Sequence, residues 1–199
     1  MAIAETGTID SELTDSQRER RKRIVDAAIT LAVEGGYDGV QMRDVAERAD
    51  VALGTLYRYF PSKVHLLVNV LHQLTGDMVD RLDRNPPKGQ TAGARVLDLL
   101  DRSMRVLQRE PQLADAMMRA LMFADASAAS EVDAVSAIMT GAITRSMHGP
   151  DREPTHEDHA IARVIENVWW AYILSWLSGR ASARQVTDDL EAAVRLLVR

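Results

Sequence analysis

The chain has 199 residues, 46% hydrophobic and 27% charged, with 24 Lys+Arg against 29 Asp+Glu and no Cys. That composition excludes a disordered or low-complexity protein, and the missing Cys exclude a disulfide framework, a thiol nucleophile and Cys-ligated zinc. The formal charge of −5 argues at first sight against nucleic acid; no apolar run reaches the roughly 18 residues of a membrane span, and the acidic opening MAIAETGTIDSELTD has no signal-peptide layout, so a cytoplasmic protein without a membrane partner is expected.

The apolar spacing is helical nearly throughout, and no alternating run suggests a sheet, so the expected fold class is all-α. Residues 1–15 read as an acidic, disordered tail. Ser16 and Glu19 fit a capping box ahead of a stripe at Ile24, Ala27, Ala28 and Leu31, and Gly35-Gly36 ends that helix. Short helices are expected over 42–49 and Leu53–Tyr59. A longer one is opened by Ser62 as N-cap, with Leu67, Val70, Leu71, Leu74 and Met78 as its stripe. Asn85-Pro86-Pro87 with Gly89 breaks the chain and is a candidate domain boundary. Val96, Leu97, Leu100, Met104 and Leu107 mark the next helix, Pro111 opens another, and an Ala-rich helix runs to about Met147. A strongly apolar helix is expected over 155–179. Ser182 and Gln185 fit a second capping box before a last helix with Val186, Leu190, Val194 and Leu197.

The segment 41–63, QMRDVAERADVALGTLYRYFPSK, carries the chemistry. Two short helices flank Asp50-Val51-Ala52. Ala46 is small where helices cross, Asp50 suits the left-handed turn position, and Val45, Val51 and Leu56 form an apolar wedge. This pattern specifies a helix-turn-helix, whose second helix enters the major groove. That helix is too polar for a core. Gly54 lets backbone approach another surface, Arg58 suits guanine, and Thr55 or Leu53 suits a thymine methyl; Tyr59 and Lys63 suit phosphates. Taken alone, a charge run such as Arg18, Arg20, Arg21, Lys22, Arg23 is most simply a solvated helix end. It nevertheless shows that the net charge hides an asymmetry: residues 16–65 carry nine bases against seven acids.

The stretch IVDAAITLAVEGGYDGVQMRDVAERADVALGTLYRYFPSKVHLL resembles the DNA-binding region of the TetR family of repressors. The resemblance implies a homodimer with a three-helix DNA-binding domain (16–62) and a C-terminal ligand-binding and dimerisation domain (63–199). It also implies that Arg43, Thr55, Tyr57 and Arg58 face bases and that Gln41, Tyr59 and Lys63 hold phosphates. Two departures stand out. Ala52 occupies a position where the family often has a Ser N-cap, and Leu53 one where a polar residue is common, which favours an apolar base contact there.

The C-terminal half is rich in Met, a residue of loose cores and adaptable pockets. With the resemblance in hand, Met104, Met117, Met118, Met122 and Met139, joined by Leu107, Leu121, Phe123 and Trp170, are the expected lining of a large apolar pocket. The run FADASAASEVD (123–133) and the RASA segment near Arg180 resemble, within the family, the repressors of cholesterol catabolism in sterol-degrading bacteria. That implies an effector that is a coenzyme A thioester of a sterol acid, with Arg102, Arg105 and Arg119 as candidates for its charged part; solvated helix faces explain those three arginines equally well. A long-chain fatty acyl-CoA or an apolar xenobiotic is the alternative effector. Helix 155–179 is apolar on more than one face, so it and the last helix are expected to form a C₂ four-helix interface, with Trp169, Tyr172 and Trp176 unassigned between pocket and partner.

A metal enzyme is the remote alternative. His156, Glu157, His159 and Glu166 share one helical region, yet no Glu-x-x-His occurs, and a solvated helix start explains them better. The expectation is a non-enzymatic repressor with no cofactor and no metal. It would bind a palindromic DNA operator and be released by an apolar effector, with helix 62–84 as the pivot between head and body.

Overall fold

The computed structural model describes residues 14–148 and 153–198, so most of the acidic tail lies outside the described residues. Among the described residues there are nine α-helices, one 3₁₀ turn and no strand. The helices are α1 Asp15–Gly39, α2 Met42–Arg48, α3 Leu53–Tyr59, α4 Lys63–Arg84, α5 Ala92–Arg109, α6 Pro111–Phe123, α7 Ala129–His148, α8 His156–Leu177 and α9 Ala183–Leu197. The 3₁₀ turn, Ala126–Ala128, sits between α6 and α7.

The first helix begins two residues earlier than the capping pattern suggests. Thr14, not Ser16, is the N-cap: its hydroxyl accepts from the Gln17 N–H at 3.3 Å and the Gln17 side chain accepts from the Thr14 N–H at 2.8 Å. Both pairs fit the same sequence rule, but this start places Asp15 in the first turn. There a carboxylate meets the positive end of the helix dipole, and Arg18 pairs with it. Thr14 and Asp15 are therefore cap and helix rather than tail.

α1 is interrupted where expected. Gly35 and Gly36 have non-helical angles, and Gly36 sits at φ 60°, ψ −156°, a region open essentially to Gly alone. A Cβ there would also lie 2.7 Å from Gln112 Oε1 on α6. Asp50 adopts φ 52° in the α2–α3 turn, the left-handed conformation that Asp tolerates better than most side chains.

Later helix starts follow the same logic. The Thr155 hydroxyl accepts from the Asp158 N–H, and the Asp158 carboxylate accepts from the Thr155 N–H, a full capping box. At α9 only half of the expected box forms: Ser182 accepts from the Gln185 N–H at 3.2 Å.

Two compact units result, and neither is contiguous in sequence. The first takes the described residues up to Leu74 together with Glu110–Val135. The second takes Thr75–Arg109 and the described residues from Ser136 onward. Residues 62 and 63 both lie in the first unit, and the Asn85-Pro86-Pro87 break falls inside the second. The first unit's core includes Ile24, Ala28, Val45, Leu56, Phe60 and Leu67. In α4 the six residues from Leu66 to Leu71 are all buried, so the expected stripe widens there into a fully enclosed stretch. The second unit's core includes Val96, Leu99, Ile143, Ile165, Trp169 and Val194.

Candidate nucleic-acid interface and ligand domain

The helix-turn-helix is held from below and left open above. Val45 and Leu56 are fully buried and Ala46 nearly so, while Val51 is half-buried, so the expected wedge forms. The turn closes through the Val51 N–H donating to the Ala46 carbonyl at 3.0 Å. Arg23 of α1 donates from Nε to the Ala49 carbonyl at 3.1 Å, tying α1 to the end of α2. Its neighbour Arg21 lies over the Phe60 ring at 5.5 Å, where α3 ends. In the sequence these two arginines register only as charge, because their partners lie far along the chain.

With Leu56 anchored, α3 presents Leu53 (36% exposed), Gly54, Tyr57 (46% exposed) and Arg58 outward, with Thr55 and Tyr59 half-buried. Exposed apolar surface of this kind on a short polar helix marks an interaction face. Arg58 and, on α2, Arg43 make no hydrogen bond or ion pair among the described residues, so both guanidinium groups are free for a partner. Ala52 caps α3 with extended backbone and no side-chain bond, the consequence of lacking a hydroxyl.

Two of the residues assigned to phosphates are engaged within the protein. The Gln41 side-chain amide donates to the Asp38 carbonyl at 2.8 Å. The Lys63 ammonium donates to the Tyr37 carbonyl at 2.8 Å and lies 3.9 Å from the Tyr37 ring centroid. Burial pushes the Lys63 ammonium below its ordinary pKa. Arg119 of α6 covers the same ring at 4.8 Å and pairs with Asp38 at 2.6 Å, which raises its pKa. Phe123 meets Tyr37 edge-on at 5.3 Å. Tyr37 is thus bracketed by two cations and an aromatic ring, a cluster spanning residues 37 to 123 that no local pattern could reveal. His65 adds a second tie: Nδ1 meets the Ser62 hydroxyl at 2.9 Å and Nε2 meets the Ser127 carbonyl at 3.2 Å. Since a carbonyl only accepts, Nε2 carries the proton and Ser62 donates to Nδ1. The run FADASAASEVD therefore forms part of the first unit, its Asp125 side chain capping the 3₁₀ turn at the Ser127 N–H.

The residues proposed to line a pocket are divided between the units. Met117, Met118, Leu121, Met122 and Phe123 belong to the first; Met104, Leu107, Met139 and Trp170 belong to the second. Met104, Met117, Met118 and Met139 are buried, Leu107, Leu121 and Trp170 half-buried, and Met122 (58%) and Phe123 (54%) exposed.

The second unit holds two described cavities. One, of about 240 Å³, lies between α5, α8 and α9 with Leu97, Leu100, Met104 and Trp169 as apolar lining and Asp98, Asp101 and Glu191 as its charged lining. Trp169, not Trp170, faces it; the Trp170 indole N–H donates to Glu166 at 3.2 Å. The other, of about 330 Å³, lies between the end of α4, the following loop, α5 and α7, and is lined by Leu82, Asp83, Pro86, Pro87, Arg95, Ala142, Arg145 and Ser146. The three arginines considered for a coenzyme are all paired: Arg102 with Asp98, Arg105 with Asp101, Arg119 with Asp38.

Glu166 is buried and satisfied by neutral donors, Ser136 at 2.9 Å and Thr140 at 2.7 Å besides Trp170. His156, Glu157 and His159 are exposed, and among the described residues no group of three His, Asp or Glu is placed to hold a metal. No helix of the described residues is long and apolar enough to cross a membrane.

Comparison with known proteins agrees with this geometry. Residues 24–70 match the family model "Bacterial regulatory proteins, tetR family", and residues 89–197 match "Tetracyclin repressor-like, C-terminal domain". The chain is 52% identical over 190 residues to the HTH-type transcriptional repressor KstR of Mycolicibacterium smegmatis, covering 95% of this chain and 92% of that one. A TetR transcriptional regulator from Rhodococcus sp. RHA1 superposes with a TM-score of 0.85 at 34% identity, over 92% of this chain and 98% of that one. FadR from Thermus thermophilus, solved in complex with lauroyl-CoA, shares the fold with a TM-score of 0.69 at 21% identity, over 89% and 92% of the two chains. An open reading helix on a helix-turn-helix, an all-helical C-terminal half and these matches over both parts have one meaning: the chain belongs to the TetR family of DNA-binding transcriptional regulators and is not an enzyme.

Proposed function

We propose that the protein is a cytoplasmic homodimeric repressor of sterol-catabolism genes. It binds a palindromic operator and leaves it when a large, mainly apolar anion, a coenzyme A thioester of a sterol acid, occupies the C-terminal half. The observation that carries this reading is the 52% identity to a KstR repressor over nearly the whole of both chains. The free guanidinium groups of Arg43 and Arg58, beside the exposed Tyr57 and Leu53, support their role in base reading. Val164 (47% exposed) on α8 and Leu196 (78% exposed) on α9 leave apolar surface on the two helices expected to pair with a second subunit.

The mechanism is a two-state shift. Two reading heads address half-sites roughly 34–36 Å apart. An effector that binds better to a dimer with a different head spacing lowers DNA affinity; a tenfold loss requires only about 1.4 kcal/mol of differential effector affinity. A second reading, a long-chain fatty acyl-CoA effector, is favoured by the shared fold of a FadR solved with lauroyl-CoA. A DNA-release assay against sterol-acid and straight-chain thioesters separates the two. Release by the sterol thioester at lower concentration supports the first reading; equal or stronger release by the straight chain replaces it with the second.

A further inference from the structure

We propose that the 330 Å³ cleft between α4, α5 and α7 receives the junction between the apolar body and the phosphate-bearing end of the effector, with Arg145 as the anion-contacting residue. This rests on the reading of the effector as an amphipathic anion.

Charge decides between the two cavities. The α5–α8–α9 cavity has three carboxylates, Asp98, Asp101 and Glu191, and no base among its lining residues. Asp98 and Asp101 are paired with Arg102 and Arg105, which leaves Glu191 with no counter-charge among the described residues, so an anion entering this cavity meets a carboxylate and no free base. The α4–α5–α7 cleft offers apolar walls from Leu82, Pro86, Pro87 and Ala142, two guanidinium groups, Arg95 and Arg145, and one carboxylate, Asp83.

The two arginines differ in what they have left to give. Arg95 donates from Nε to the Ser146 carbonyl at 2.9 Å and from a terminal nitrogen to the Met147 carbonyl at 2.7 Å, so it is spent on capping the end of α7. Arg145 is exposed and makes no hydrogen bond or ion pair among the described residues. Its planar fork is free, in the geometry that suits bidentate phosphate contact. Arg102, Arg105 and Arg119 are each committed to a carboxylate. The cleft's volume is at the lower end for a ligand site, roughly 300–1,000 Å³. It therefore suits one portion of a large effector, the junction where an apolar body meets a charged group.

Calorimetry on the full chain tests this, with the coenzyme A thioester of a sterol acid and the neutral methyl ester of the same acid as probes. Arg145→Glu is expected to weaken the thioester about 10–100-fold, the loss of a charge-assisted contact, and to leave the methyl ester unchanged. Arg145→Lys should restore part of the affinity. Arg105→Glu, a paired arginine outside the cleft, should change neither. Wild-type affinity of Arg145→Glu for the thioester overturns the assignment and leaves the effector reading standing. So does an equal loss in Arg105→Glu, which would indicate net charge rather than a site. No binding of the thioester by the wild-type protein overturns the effector reading itself, and the assignment falls with it.

Discussion

Arg58 and Lys63 sit five residues apart and have opposite fates. Arg58 is exposed on α3 with its guanidinium free. Arg58→Ala should cost about 1–3 kcal/mol on a specific operator and relax sequence choice at the base it reads; competition with operator variants measures this, and retained discrimination would remove Arg58 as a base reader. Lys63 points the other way, onto the Tyr37 carbonyl and ring. Residue type and position favour a phosphate contact; the geometry favours an internal tie. Lys63→Met should lower stability by about 1.5–3 kcal/mol, the usual size of a lost charge-assisted hydrogen bond. It should leave the salt dependence of binding to non-specific duplex unchanged. A fall in that slope by about 0.9, the signature of one lost phosphate contact, would return Lys63 to the DNA surface.

At the scale of elements, the helix starts and stops are the most legible features. Gly36, Asp50, Pro111 and Ser182 act where their chemistry predicts. The one shifted start, Thr14 for Ser16, lies between two overlapping patterns, of which the Thr14–Gln17 pair forms the capping bonds. The start of α8 has a measurable consequence. Hydrogen bonds from Thr155, with a further contribution from His148 at 2.9 Å, lower the Asp158 pKa from 3.8 to about 2. A carboxyl group with a depressed folded pKa stabilises the fold above its unfolded value and loses that contribution as pH falls toward the folded value. Acid titration of stability should therefore show Asp158 contributing fully above about pH 4 and progressively less down to about pH 2. In Asp158→Asn this part of the acid limb should be flatter; an unchanged limb would mean the cap does not couple to folding.

For the whole molecule, the chain passes between its two units three times, after Leu74, Arg109 and Val135. The first of these crossings lies within α4, the helix expected to act as the pivot. Segment Glu110–Val135 belongs with the reading head through Arg119, Phe123 and Ser127. The proposed homodimer is tested at the same scale. A charge placed at Leu196, 78% exposed on α9, should disfavour an apolar interface between copies. Leu196→Glu is expected to shift sedimentation toward monomer and to weaken operator binding with it; an unchanged dimer would place the interface elsewhere.

The all-helical class, the helix-turn-helix and the outward placement of Tyr57 and Arg58 were legible in the amino-acid sequence, whereas Thr55 and Tyr59 of the same helix are half-buried. The legible features follow from interactions within a few residues: apolar spacing, caps, and the backbone freedom of Gly36 and Asp50. Where charged side chains spend their bonds and which way the aromatics face depend on packing between segments distant in the chain. Lys63 is committed to a residue 26 positions away and Arg119 to one 81 away. Trp169 and Trp170 are neighbours in sequence but point about 100° apart on a helix, so one faces a cavity and the other a buried carboxylate. Composition can count arginines; only packing shows that Arg102, Arg105 and Arg119 are paired while Arg145 is free.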